Sequence, residues 1–584
     1  MTLSIEDQIT EMEKNNSLFE YQTRRMELDV AAAFKKSGKI HAATFKETPI
    51  RIQSKNPEAI QTQLPNIAGT LASGVLEAIP SSKSVEGKRV AVLFSGGPAA
   101  GGHNVVLGVK EALGSKNTLL GVKSGPKGLL NGDLFEITDE AIAKVKNLGG
   151  FDFLGSDRTK IKTPEQFEQV RQTVRQHKLD GIIVVGGDDS NTNAAFLADF
   201  LAPEHCQVIG VPKTIDGDLQ VGTLLPITFG FDTATKIYAE LVGNILQDTP
   251  SSRKYWHFVK LMGRSASHVA LEVALQTKPA ITLISEEIET EKIPLNDIID
   301  CIAGKISYRA GKGINHGVVV VPEGLIEFIP DLKVLINELN EILASYDQDV
   351  ASLEMAKKRD FVSAKLSANS AKIMAELPDE IEAMLLLERD SHGNLQVSKI
   401  PTEVLLIQMT ELKLMEMKNH PDKFFAPDKI NLNREEIERF KKFKFSTNNH
   451  FFGYEGRCGA PSRFDAVYCF NLGLIAGSLI LDGKTGFMAV LSNLYQGGKP
   501  MAIPLLSLLQ IERRHGQDEL VIEKALVKLD SPAFQYFKKR RDEWSKQDLF
   551  SSPGPRQLVG PVANQLPFTV VLNQGYPELT YQIG

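Results

Sequence analysis

Asp180 to Leu219 reads DGIIVVGGDDSNTNAAFLADFLAPEHCQVIGVPKTIDGDL, and this stretch decides the fold. Its two apolar runs, Ile182–Val185 and Val208–Val211, are short, β-branched and stopped by turn residues, as strands buried on both faces are. Between them a helix is expected from Ser190 to about Phe200. Strand, turn, helix and strand imply parallel pairing through a right-handed crossover. Such sheets bind ligands beyond the carboxyl ends of their strands. There the first strand runs into GGDDS and the second into PKTIDGD. Gly186 and Gly187 let backbone amides approach an anion, and the helix N-terminus adds a positive partial charge. Asp188 and Asp189 suit an anion site only beside a cation, which suggests Mg²⁺ shared with phosphates. Lys213, Asp216 and Asp218 put a cation and two carboxylates on the neighbouring loop.

The chain has 584 residues, enough for several domains or one large enzyme with additions. At 42% hydrophobic and 24% charged it is of ordinary globular composition. A net charge of −6 without a long basic run argues against a nucleic-acid binder or a membrane-surface protein. No stretch is expected to reach the roughly 18 apolar residues of a membrane span. The start, MTLSIEDQITEMEKNN, is polar and acidic, unlike a signal or transit peptide. Cys206, Cys301, Cys458 and Cys469 form no C-x-x-C pair and read as free thiols in a reducing cytoplasm.

Working outward, Arg89–Phe94 reads as a strand entering SGGPAAGG and a helix from about His103 to Leu113, a second oxyanion cradle. Its spacing is not the dinucleotide G-x-G-x-x-G. A third turn, Gly149 to Arg158, ends in an arginine that either offers planar donors to a phosphate or is solvated. Gly230–Thr235 opens an amphipathic helix, and a strand over Lys254–Leu261 ends in Met262, Gly263 and Arg264. Arg264 suits a sugar phosphate or carboxylate. Glu323, after the Val318–Val321 strand, reads as a partner for sugar hydroxyls or as a turn carboxylate.

From Leu325 to about Lys444 the alternation stops. Leu332, Leu335, Ile336, Leu339, Ile342 and Leu343, and later Leu412, Leu414, Met415 and Met417, fall at helical spacing and read as core. Tyr454 and Arg457 then stand in a Gly-rich loop suited to a phosphorylated sugar. Gly483-Lys484-Thr485 is not a P-loop, because Ser478 stands where the first glycine is needed. The tail from about Phe550 reads as extended. The expected divisions are an N-terminal extension (1–88), a phosphate-donor α/β lobe (89–230), a sugar-phosphate α/β lobe (231–325), a helical insertion (326–445) and a return to the lobes with a tail (446–584). The residues alone thus describe a doubly wound α/β protein. The chemistry they suit is Mg²⁺-assisted phosphoryl transfer onto a hydroxyl, which rests on positioning and charge stabilisation.

In chain order, SGGP…GGHN, GGDDS, PKTIDGD, GFDTAT, MGRSASH, PEG and GYEGR together resemble the phosphofructokinase family, most of all its pyrophosphate-dependent long form. The match covers roughly residues 89–325 and 450–500. The resemblance implies two phosphofructokinase-like lobes and reversible transfer from pyrophosphate to the 1-hydroxyl of fructose 6-phosphate. It implies that Gly96 contacts the donor, as Arg158 is also placed to do, that Asp188 holds Mg²⁺, and that Asp216 is the general base with Thr214 beside it. It further implies that Met262, Gly263, Arg264, Glu323, Tyr454 and Arg457 hold the sugar phosphate. Lys254 and Tyr255 would reach the sugar phosphate of a neighbouring subunit, making a homodimer or larger homo-oligomer with a shared site.

ATP-using relatives resemble GGDGS and PGTIDND, whereas this chain carries Asp189 and Lys213 at the differing positions. Asp189 sets bulk and negative charge where a nucleotide's α-phosphate would lie, and Lys213 offers a cation to a two-phosphate donor. Both positions argue against an ATP-dependent phosphofructokinase. The retained Asp188, Asp216 and Asp218 argue against a non-catalytic regulatory subunit of the same fold. Ala100 stands where the family's first loop has proline, which frees one φ angle and removes no functional group.

Overall fold

Parallel strands over Arg89–Ser95, Gly181–Gly186 and Gln207–Thr214 form the centre of a large sheet, with Phe94 opposite Val185 and Val185 opposite Val211. The structure, a computed structural model, describes residues 4–15, 17–81, 84–346, 353–387, 400–514 and 517–580. The chain divides into two compact units: Met1–Ala234 with Tyr454–Ala525 and Arg556–Gly584, and Thr235–Gly453 with Leu526–Pro555.

In the first unit the sheet runs Ala43–Glu47, Leu76–Pro80, Lys499–Pro504, Phe487–Ser492, Gln207–Thr214, Gly181–Gly186, Arg89–Ser95, Thr118–Val122, Leu134–Glu136. Its centre is parallel, and the outer strands are antiparallel. The N-terminal extension therefore supplies two strands at one edge. Alternate residues of the central strands serve opposite faces. Ala91, Leu93, Ile182, Val184 and Val208 pack with Val170, Val174, Ala194 and Leu197 of the helices Pro164–His177 and Asp188–Leu201.

The helices Gly102–Leu113 and Arg463–Leu481 pack against each other, and the second also meets the Gln207–Thr214 and Phe487–Ser492 strands. Gly108 and Gly473 set the closeness of that helix pair. A Cβ at either would stand 2.1 Å from a carbonyl of the other helix. Arg463–Leu481 also corrects the expectation about spans: by length and composition it is long and apolar enough to cross a bilayer. Here it is a core helix, buried from Phe464 to Ile480. The tail is another correction, because Phe568–Gln574 is helical and Pro561–Asn564 is a 3-10 turn. Buried Val570 and Val571 show why: two successive apolar residues find a core to pack against.

The second unit is built on four parallel strands in the order Ile281–Thr282, Gly317–Pro322, Trp256–Leu261, Thr447–Phe452. Between Leu325 and Lys442 the described residues form only helices. They share a core with the sheet through Leu332, Leu335, Leu339, Leu405 and Leu414 packed with Phe258, Val319 and Val321. A buried ion pair, Lys260 to Glu403 at 3.1 Å, ties strand to helix. Leu412 and Met415 are exposed, at 62% and 46%, against the expectation of core. On Thr402–Asn419 only the face carrying Leu414 and Met417 turns inward.

Candidate active site

Three turns of the first unit gather at the carboxyl ends of adjacent parallel strands: Gly96–Gly101, Gly187–Ser190 and the loop after Thr214. The first is fixed by Gly96, which has φ +85° and donates its N–H to the Asp157 carbonyl at 2.8 Å. Ser156 returns a hydroxyl to the Gly96 carbonyl at 2.7 Å. Arg158, exposed, follows directly on this pairing. Ser190 Oγ donates to Ser95 Oγ at 2.8 Å, joining the first turn to the second. Asn191 holds the second turn by donating to the Gly186 and Gly187 carbonyls at 2.7 and 2.9 Å.

Asp188 and Asp189 occupy the first turn of the helix Asp188–Leu201. Asp189 is exposed. Asp188 has an Oδ2 shut off from solvent with no hydrogen-bond partner among the protein groups. Burial pushes its carboxyl above the ordinary range, opposed by the charge of Lys524 and reinforced by Asp189 and Asp218. A desolvated carboxylate oxygen of this kind fits a divalent cation, and Mg²⁺ typically takes one or two protein carboxylates and completes its shell with water and phosphate. Among the described residues no group of three or more His, Cys, Asp or Glu is arranged to hold a metal unaided.

In the third turn, Asp216 N donates to Thr214 Oγ1 at 3.0 Å, and that hydroxyl donates to Asp218 Oδ1 at 3.0 Å. Thr228 Oγ1 binds the Thr214 carbonyl at 2.8 Å. The turn thus fixes Asp216 while Thr214 is committed to Asp218. Lys213 is 7% exposed, and its Nζ lies 3.6 Å from where a Cβ at Gly96 would stand. Burial, then the Arg457 charge, pushes its ammonium down to about 8 against the pull of Asp216, Asp218 and Asp188. The Lys213 Nζ also faces the Phe151 ring at 5.9 Å, and Phe151 stacks on Phe94.

Tyr454 and Arg457 lie on a four-residue helix, Tyr454–Arg457, rather than in an open loop. Tyr454 is 75% exposed. Arg457 Nε donates to the Pro98 carbonyl at 3.1 Å, so the arginine is tied to the Gly96–Gly101 turn.

The second unit holds the other predicted residues. Met262, Gly263 and Arg264 follow the Trp256–Leu261 strand, and Glu323 follows the Gly317–Pro322 strand beside it. Glu323, 5% exposed, accepts from Gly263 N at 2.9 Å. Gly263 takes φ +138°, which an L side chain resists. Gly324 is required by contact, since its Cβ would lie 2.0 Å from the Arg264 carbonyl. Arg264 is exposed at the end of this pair. Lys254, exposed, sits over the Tyr255 ring at 4.9 Å. Two features escaped the sequence reading. The Ser95–Ser190 link joins residues 95 apart, and Lys524 stands in a segment without a motif.

A family model described as phosphofructokinase matches residues 89–360. The chain is 43% identical to the pyrophosphate–fructose 6-phosphate 1-phosphotransferase subunit beta 2 of Arabidopsis thaliana, over 89% of this chain and 88% of that one. It is 45% identical to the pyrophosphate–fructose 6-phosphate 1-phosphotransferase of Treponema pallidum, over 85% and 86% of the two chains. To the Arabidopsis thaliana subunit alpha 2 it is 36% identical, over 82% and 75%.

The chain belongs to the phosphofructokinase family.

Within this phosphofructokinase fold, the three turns of the first unit and the Met262–Arg264 turn are all strand ends of parallel sheets, where doubly wound proteins bind ligands. Membership also accounts for the order of the motifs, because each falls at such a strand end or opens the following helix.

Proposed function

We propose that this phosphofructokinase moves a phosphoryl group reversibly between pyrophosphate and the 1-hydroxyl of fructose 6-phosphate, giving fructose 1,6-bisphosphate and phosphate. The observation that carries the donor is Lys213: a buried ammonium beside Gly96, flanked by Arg457, at the end of the strand next to GGDDS. A buried cation at that place suits a compact anion more than a nucleotide, whose chain would have to pass Asp189.

Asp216 takes the proton of the 1-hydroxyl as its oxygen attacks the terminal phosphorus. The bridging P–O bond breaks, and the departing phosphate keeps that electron pair. Lys213 and Arg457 carry positive charge to the donor, and Gly96 and Arg158 border it. Asp188 would hold Mg²⁺, which when bound supplies charge neutralisation to the donor oxygens. Thr214 and Asp216 serve the reacting end of the sugar. Met262, Gly263, Arg264, Glu323 and Tyr454 serve the rest of it, while Arg457, read from the sequence as a sugar-phosphate residue, is assigned to the donor because its Nε binds the Pro98 carbonyl. Lys254 and Tyr255 serve the sugar phosphate of a neighbouring copy, so the active species is a homodimer or larger. The four unpaired cysteines suit a reducing, cytoplasmic location.

The test is a donor swap. Fructose 1,6-bisphosphate formation is followed from fructose 6-phosphate and MgCl₂ with pyrophosphate or with ATP. Turnover with pyrophosphate alone is expected. Turnover with ATP alone would overturn the donor reading, and silence with both would overturn the reaction.

A further inference from the structure

The hairpin Leu509–Arg514 and Gln517–Ile522 carries the chain from the first unit's core to its donor turns. Two backbone bonds fix where it arrives. Ile522 N donates to Thr192 Oγ1 at 3.1 Å, in the helix that begins with Asp188. Ala525 N donates to the Asp218 carbonyl at 2.7 Å, in the loop that carries Asp216. Lys524 lies between these anchors, half-buried, adjacent to the residue bonded to Asp218.

Resting on the pyrophosphate reading above, we infer that Lys524 is a donor-binding residue, whose ammonium holds pyrophosphate on the Asp188 side of the site while Lys213 and Arg457 hold it on the other. The charges around the site favour such a group. Asp189 and Asp218 add their charge to that of Asp188, and Asp188, Asp216 and Asp218 act on Lys213, which Arg457 also faces. Carboxylates gathered this closely favour a further cation where a polyanionic donor is to bind. Lys524 acts on Asp188, as Lys213 also does. A lysine ammonium is a compact charge with three donors, suited to the three terminal oxygens of a phosphate. Its place just past the Gln517–Ile522 strand, with no glycine turn beside it, explains why no motif marks it. Donor choice in this chain then rests on three residues, Asp189, Lys213 and Lys524.

The experiment compares the full-length wild type with Lys524→Ala and Lys524→Arg, varying pyrophosphate and fructose 6-phosphate in turn and recording thermal melts. In Lys524→Ala the KM for pyrophosphate is expected to rise about 10- to 100-fold, with the KM for the sugar within about twofold and the melting temperature kept. Lys524→Arg is expected to restore most of the loss. An unchanged pyrophosphate KM, or both KM values rising together with a fall in melting temperature, overturns the role. If the wild type turns over no pyrophosphate, the donor reading has failed separately. Calorimetric titration of wild type and Lys524→Ala with pyrophosphate in MgCl₂ then decides Lys524. Binding lost only in the variant supports the role, and equal binding or none overturns it.

Discussion

Arg457 Nε donates to the Pro98 carbonyl at 3.1 Å, and its guanidinium fills the space that any side chain at Gly97 would need. Its Nη2 lies 1.6 Å from the ideal Cβ position of Gly97. The absence of a side chain at 97 therefore lets a cation reach the Gly96–Gly101 turn. Gly97→Ala is expected to expel the guanidinium and lower turnover with pyrophosphate about 100-fold, near 2.7 kcal/mol of transition-state stabilisation. The melting temperature should hold. Arg457→Lys should give a similar loss, since lysine has no Nε–H to offer Pro98. Steady-state kinetics with thermal melts check both, and unaltered turnover in Gly97→Ala would rule the contact out.

The sheets were legible because their strands are short β-branched runs closed by glycine or proline, as at Gly181–Gly186 and Gly317–Pro322. Strand ends also locate chemistry in a doubly wound fold, so Asp188, Lys213 and Glu323 stood out by position alone. Partners across the chain were not legible. Arg457 meets Pro98 across 359 residues, and Asp218 meets Ala525 across a comparable gap, which no local pattern encodes. Leu412 and Met415 failed for a related reason. Thr402–Asn419 is apolar round most of its circumference, so periodicity does not select the face that Leu414 and Met417 bury.

On the proposed reading, Lys213 ties donor binding to pH. Burial holds its ammonium at about 8 in the folded chain, below the ordinary 10.5. Between those values the unfolded chain binds the extra proton, so this group makes stability rise with pH across that window. Below about 8 the full cost of a buried charge is present, about 3 kcal/mol at most. Lys213→Met is expected to melt higher than wild type at pH 7, with the gap closing towards pH 10, while losing pyrophosphate turnover. In the wild type the KM for pyrophosphate should rise as pH passes about 8 and the ammonium loses its proton. A flat KM from pH 7 to 9 would count against this.

The orphaned Oδ2 of Asp188 makes a metal prediction that needs no turnover. Burial raises this carboxyl, so its folded value lies above its unfolded one. Its contribution to stability is lost as pH rises through that interval, and at neutral pH the chain bears the cost of a desolvated charge. A divalent cation offsets that cost. MgCl₂ at millimolar concentration is expected to raise the wild-type melting temperature by about 2–4 °C through mass action. Asp188→Asn should melt higher than wild type without metal and respond little to MgCl₂. Equal responses in both proteins would remove Asp188 as the ligand.

Asp216 is held by its own turn: its N–H binds Thr214 Oγ1, and Thr214 is in turn committed to Asp218. Asp216→Asn preserves shape and that backbone bond and removes the proton acceptor together with the charge that acts on Lys213. If Asp216 is the base, turnover in both directions should fall by about 10³-fold or more, because proton transfer by a positioned group contributes about 10²–10⁴-fold. The affinity for fructose 6-phosphate, measured calorimetrically, should stay within about threefold, since uniform binding is untouched. Asp218→Asn separates the two carboxylates of the motif. It disturbs Thr214 without removing the base, so its loss should be smaller and should appear in KM as well as kcat. If Asp218→Asn were the more damaging change in kcat, the base would be Asp218 and the Thr214 hydroxyl its link to the sugar.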